Sequence, residues 1–136
     1  MLTKKVVDQI TFDIIGCAIE VHKALGAGLL ESVYEKCMIK EMELRGMVSQ
    51  SQLRIPINYK GYILDADLRL DLLVEDLIVV ELKAVEKINP LYLSQVLSYM
   101  RLLDKPKGIV INFCCNNIFK EGQQTVVNEL YSYLPN

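Results

Sequence analysis

Residues 68–84 read LRLDLLVEDLIVVELKA, and no other stretch of the chain restricts its fold so tightly. Leu68, Leu70, Leu72 and Val74 alternate with Asp67, Arg69, Asp71 and Leu73. After Glu75-Asp76 the period resumes, with Ile78, Val80, Leu82 and Ala84 on one face and Val79, Glu81 and Lys83 on the other. A period of two sends successive side chains to opposite faces of a strand, so this stretch is expected to be a hairpin with a buried face. An unpaired charge placed in a sheet interior costs several kcal/mol. Asp71, Glu81 and Lys83 therefore need a physical reason to stand where they do.

The loop between the two runs decides whether the acids meet. A two-residue turn at Glu75-Asp76 pairs Val74 with Leu77 and sends Glu81 to the face away from Asp71. A three-residue loop pairs Val74 with Ile78 and sets Asp71 opposite Glu81. Only the second register puts Leu68, Leu70, Leu72 and Val74 on the face of Ile78, Val80 and Leu82, so an odd-length loop is expected. The two carboxylates then carry Cβ atoms about 5 Å apart, and like charges near 4 Å repel by about 4 kcal/mol at an effective dielectric of 20.

Such a pair calls for a cation. Lys83, on the face of Glu81, offers one charge, and a divalent metal with carboxylate and water ligands offers two. Magnesium, or manganese in its place, suits an all-oxygen site, whereas zinc would want the histidine or cysteine this region lacks. The chemistry served by such a site is phosphodiester hydrolysis, with the metal activating water and a neighbouring lysine orienting it or steadying the transition state. Alternating charges are equally the mark of a solvated strand face, so both readings stand on this pattern alone.

The rest of the chain is expected to surround the hairpin with helices. Apolar positions Val7, Ile10, Ile14, Cys17, Ala18, Val21 and Leu25 predict a first helix over Thr3 to Leu25, stopped by Gly26-Ala27-Gly28. A second runs from Leu29 or Leu30 to Arg45 on Val33, Cys37, Ile39 and Leu44, with Gly46 at its end. Leu53, Ile55, Ile57 and Tyr59 alternate with polar residues and Pro56, which predicts an edge or bulged strand, and Lys60-Gly61 is a hairpin turn. Asn89-Pro90 opens a helix to about Leu103. Lys107 to Phe113 is a short buried strand, parallel to the one at 78–84 through a right-handed crossover. Val126, Val127, Leu130, Tyr131 and Leu134 predict a last helix over 121–133.

The 136 residues suffice for one good core, and the expected organisation is a single domain over 1–136. A formal net charge of −2 argues against coating nucleic acid by bulk electrostatics; phosphate contact would come from a local cluster or from bound metal. No apolar run reaches the roughly 18 residues a membrane span needs, and Asp8 and Asp13 interrupt the N-terminal segment too early for a signal peptide, so a soluble, cytoplasmic protein is expected. Cys17, Cys37, Cys114 and Cys115 lack zinc spacing and read as reduced core residues; His22 reads as a helix histidine with its bonds satisfied.

Asp71, nine residues, then Glu81-Leu82-Lys83 resembles the D…(D/E)xK signature of the PD-(D/E)xK nuclease superfamily. Upstream, Gly28-Leu-Leu-Glu31-Ser-Val-Tyr34 is similar to the GxxExxY motif that names a small family within it, and GLLESVYE, DLLVED and ELKAVEK resemble its members from about Ile15 to Phe113. The resemblance implies a restriction-endonuclease-like α/β fold with a mixed four-stranded sheet and helices on both faces. It implies Asp71, Glu81 and the Leu82 carbonyl as metal ligands, Glu31 as a further acid from the second helix, and Lys83 as the catalytic lysine. Gln95 and Tyr99, spaced i and i+4, resemble the QxxxY element of one branch of the superfamily and share a stripe with Tyr92, away from Leu93, Val96, Leu97 and Met100.

The activity so implied is magnesium-dependent cleavage of nucleic acid, DNA first, by a monomer or a homodimer that cuts both strands. The rival is a module that keeps the fold and binds nucleic acid or a protein without catalysis. Bland roles stand beside the site roles: Tyr34 as packing, Gly28 as backbone relief, Glu31 as a first-turn acid on the helix dipole. Arg69 is open to holding Asp71 or a phosphate, and Asp67 reads as surface.

Overall fold

The computed structural model describes residues 1–136. Helix α1 (Lys4–Leu25) begins where Thr3 caps it, the hydroxyl accepting from Val6 N at 3.2 Å, and ends at Gly26, whose φ of 70° takes the chain out of the helix. Its buried face carries Val7, Ile14, Cys17, Ala18 and Val21, as the spacing predicts. Helix α2 (Glu31–Leu44) corrects the expectation for its inner face. Tyr34, Met38 and Met42 are buried, Val33 is exposed and Leu44 is 70% exposed. The cause is tertiary. The Tyr34 ring stacks on Phe113 with centroids 4.2 Å apart, while its hydroxyl donates to the Gly26 carbonyl at 2.6 Å and accepts from Leu29 N at 3.2 Å. A tyrosine satisfied at both ends fixes the rotation of the helix, and the two flexible methionines fill the space below it.

Strands β1 (Ser49–Tyr59), β2 (Tyr62–Val74), β3 (Ile78–Lys83), β4 (Lys107–Asn112) and β5 (Gln123–Val127) form one sheet in the order β1-β2-β3-β4-β5. Only the β3–β4 pair is parallel, joined by α3 (Pro90–Leu103), which Asn89 caps by accepting from Leu91 N at 2.9 Å. The sheet has five strands rather than the expected four. Residues 123–127 pair with β4 from Lys107↔Val127 to Ile111↔Gln123, so the expected helix over 121–133 is replaced by one turn on either side of a strand, α4 (Ile118–Glu121) and α5 (Glu129–Ser132). A parallel strand left at the sheet edge would expose its ladder groups; pairing them outweighs the weak helical pattern of Val126 and Val127, both β-branched.

Helices cover both faces, as expected. Leu72, Val74, Ile78, Val80, Leu82, Ile109 and Ile111 pack with α1 and α2; Ile55, Leu70, Leu73, Val79 and Val110 pack with Val96 and Met100 of α3. Leu70 and Leu68 thus lie on the α3 side, not with Leu72 and Val74. The alternation changes phase at Asp71, opposite Gln52, whose φ of 51° interrupts the pleat of β1 between the Ser51↔Leu72 and Leu53↔Leu70 pairs. Of the four apolar positions expected on the sheet side of α3, Val96 and Met100 are buried, whereas Leu97 is 36% exposed. No helix is long and apolar enough to cross a membrane.

Candidate metal centre

The loop between β2 and β3 has three residues, Glu75-Asp76-Leu77, and Val74 pairs with Ile78, Leu73 with Val79 and Leu72 with Val80. Glu75 and Asp76 both enter the left-handed region, at φ of 52° and 56°, and their carboxylates accept from Val48 N and Lys105 Nζ rather than from the turn itself. The ladder then stops where Asp71 faces Glu81. There the side chains take over from the backbone. Asp71 N donates to Glu81 Oε1 at 3.1 Å, and Leu82 N donates to Asp71 Oδ2 at 2.8 Å. Each carboxylate fills the place of a main-chain acceptor on the opposite strand, so the strands part while both acids are held in the gap.

The electrostatic cost is visible at Glu81. Burial and then the nearby Asp71 charge push its carboxyl up to about 8, against an ordinary value of 4.5, and Lys83 offsets little of this. Lys83 leaves the same face of β3, its Nζ 4.5 Å from the centre of the Tyr92 ring, an arrangement that steers an ammonium without neutralising it. The Tyr99 hydroxyl is pushed up by burial and by the Glu81 and Asp71 charges, which puts α3 beside the site. Gln95, one turn earlier, is exposed and forms no hydrogen bond to the acids.

On the α2 side, Glu31, Ser32, Glu35, Gln52, Asp71 and Leu82 line a recess of about 200 Å3. Glu31 stands exposed at its rim. Glu35, one helical turn further, reaches deeper: Gln52 Nε2 donates to Glu35 Oε1 at 2.7 Å and to Asp71 Oδ1 at 3.4 Å. Burial raises the Glu35 carboxyl, with Asp71 and Glu31 adding to the shift and the Gln52 bond opposing it. Sequence reasoning passes over both residues. The i, i+4 spacing of Glu31 and Glu35 is a signal available in the sequence, whereas the place of Gln52 follows only from the pairing of β1 with β2.

Arg69 pairs with Asp67 at 3.5 Å, not with Asp71, and Asp67 is exposed as expected. His22 Nε2 lies 3.0 Å from the Cys115 carbonyl, a structural bond in keeping with its expected role. All four cysteines are free; Cys17 is buried, but Cys114 is exposed rather than in the core.

The donor set fits a hard divalent cation. Two carboxylates of neighbouring strands converge with too little positive charge of their own, and the Leu82 carbonyl lies on the strand edge from which Leu82 N reaches Asp71. No three acidic, histidine or cysteine side chains converge closely enough to enclose an ion by themselves. A cation here would keep several waters, as magnesium does.

A family model described as the PD-(D/E)XK nuclease superfamily matches residues 8–126. Neither the comparison with curated proteins nor that with solved structures returns a match. The match spans most of the chain and includes Asp71, Glu81, Lys83 and Glu31, and the mixed sheet with helices on both faces is the architecture it calls for: the chain belongs to the PD-(D/E)XK nuclease superfamily.

Proposed function

We propose that the protein is a metal-dependent nuclease of the GxxExxY type, a single domain that hydrolyses phosphodiester bonds in DNA with magnesium, or manganese in its place. The observation that carries this reading is the exchange of hydrogen bonds between Asp71 and Glu81 at the point where β2 and β3 part. A fold needing only a solvated face has no use for a buried acid whose proton is held to about pH 8. Asp71, Glu81 and the Leu82 carbonyl would hold the ion, with Glu31 adding charge from α2. When bound, the metal supplies Lewis-acid stabilisation of the phosphoryl oxygens and an acidified water.

The chain's own residues do the rest. Asp71 and Glu81 are oriented by backbone N–H groups and need no reorganisation to present their remaining lone pairs. Lys83, held over the Tyr92 ring, would supply a proton donor and a positive charge to the scissile group. Tyr99 and Gln95 form the α3 side of the approach.

The test is cleavage of single-stranded, duplex and branched DNA and of RNA by purified protein with magnesium or manganese. Wild type is expected to cut DNA, Asp71→Asn to lose both manganese binding and cleavage, and Lys83→Ala to lose cleavage while keeping manganese binding. Manganese bound at Asp71 without cleavage of any nucleic acid would favour a non-catalytic binding module. The absence of both would refute the metal site.

A further inference from the structure

We infer that Gln52 is a positioning residue: its side-chain amide ties Glu35 of α2 to Asp71 of β2, so that α2 delivers Glu35, in addition to Glu31, to the metal centre. The inference rests on the metal site proposed above and gives roles to two residues, Gln52 and Glu35, beside the Asp71, Glu81, Lys83 and Glu31 of that site.

The geometry is specific. A glutamine amide carries two N–H protons, and both acceptors of Gln52 Nε2 are carboxylate oxygens, Glu35 Oε1 at 2.7 Å and Asp71 Oδ1 at 3.4 Å. They come from different elements, and the three residues lie on the wall of one recess with Glu31 and Leu82. Gln52 is held there at a cost. It is exposed, so fixing its long side chain loses rotamer freedom, and its φ of 51° puts a non-glycine residue in the left-handed region within a strand. Regular sheet pairing would ask for neither. Ser51 and Leu53 on either side pair normally with Leu72 and Leu70.

The choice of an amide also has a physical consequence. A lysine or arginine at this position would hold the two acids together by cancelling their charge, leaving little for a divalent ion. A neutral donor bridges them and leaves both negative charges in place. Without the bridge, Glu35 is repelled by Asp71 and Glu31 and is free to turn away from them. With the bridge in place, Glu35 would act on a bound metal through the negative charge it adds to the recess, and Gln52 would act by holding Glu35 there.

Manganese titration calorimetry on wild type, Gln52→Ala, Glu35→Gln, the double variant and Asp71→Asn tests this, with urea unfolding of each as a control for folding. Loss of an outer-shell partner weakens metal binding about 10- to 100-fold, and the lower end is expected for Gln52→Ala and for Glu35→Gln. The double variant should be no weaker than the weaker single one, because Gln52→Ala releases the same charge that Glu35→Gln removes. If Asp71→Asn abolishes binding while Gln52→Ala and Glu35→Gln bind as wild type does, the inference fails and the metal site stands. Additive losses in the double variant would also overturn it. Wild type that binds no manganese would refute the metal site itself, and the tether with it. Should Gln52→Ala unfold, Glu35→Gln alone decides, since it leaves the backbone of β1 untouched.

Discussion

Replacing Glu81 with glutamine should stabilise the metal-free protein at neutral and alkaline pH, and the size of the effect follows from where that side chain sits. In the folded protein the carboxyl holds its proton to about pH 8, chiefly through burial and secondly through Asp71, whereas in the unfolded chain it releases it near 4.5. Between those values the folded state carries a proton that the unfolded state has lost. Raising the pH therefore favours unfolding across the window, and the loss levels off above it. At about 1.4 kcal/mol per pH unit, the whole window has a ceiling near 5 kcal/mol. The recess beside Asp71 and Leu82 admits water, which screens part of this, so about 2–3 kcal/mol is the expected share. Glutamine keeps the shape and the oxygen that accepts from Asp71 N, and its amide can donate to the Asp71 carboxylate. Urea midpoints in chelator from about pH 5 to pH 9 read the difference directly, provided the slope with denaturant stays constant. Wild type should lose about 2–3 kcal/mol more than Glu81→Gln over that range. Parallel stability curves, or a wild type that gains on the variant as pH rises, would refute the reasoning. Excess magnesium should flatten the wild-type curve, because the ion binds the deprotonated pair and stabilises only the folded state.

Other perturbations separate the framework from the site. Gly108→Ala drives a Cβ into Val96 Cγ1 and to 2.9 Å from Met100 Sδ, with the Val79 carbonyl oxygen 3.2 Å away, so α3 must shift off the sheet; a loss of about 1–3 kcal/mol in chemical denaturation is expected. Tyr34→Phe keeps the stack on Phe113 but strips the hydroxyl from Gly26 O and Leu29 N, which should cost about 1–2 kcal/mol and speed amide exchange at Leu29. Asp8→Ala removes the partner of Lys107 Nζ, 3.0 Å away, and of the Tyr131 hydroxyl; a largely buried ammonium left alone should lower stability by about 2 kcal/mol, and unchanged unfolding midpoints would show that Lys107 escapes to water.

Much of the molecule was legible because its signals are local. Thr3 and Asn89-Pro90 start helices by capping their own first turns, and Lys60-Gly61 closes a hairpin because both residues enter the left-handed region, at φ of 51° and 86°. The meeting of Asp71 with Glu81 was legible for a different reason: in period-two strands a one-residue slip inverts every face, so Val74 had to find Ile78. Three features were decided only by the tertiary structure. The inner face of α2 is set by Tyr34 meeting Phe113, a residue far along the chain, and Val33, Cys37 and Leu44 form a competing stripe that periodicity cannot reject. The segment 123–127 becomes a strand because the edge of β4 needs a partner, which outweighs a local helical pattern. Glu35 enters the site through Gln52, whose reach depends on how β1 pairs with β2. Periodicity says which residues share a face, but which face is buried, and which acids share a recess, depends on partners distant in the chain.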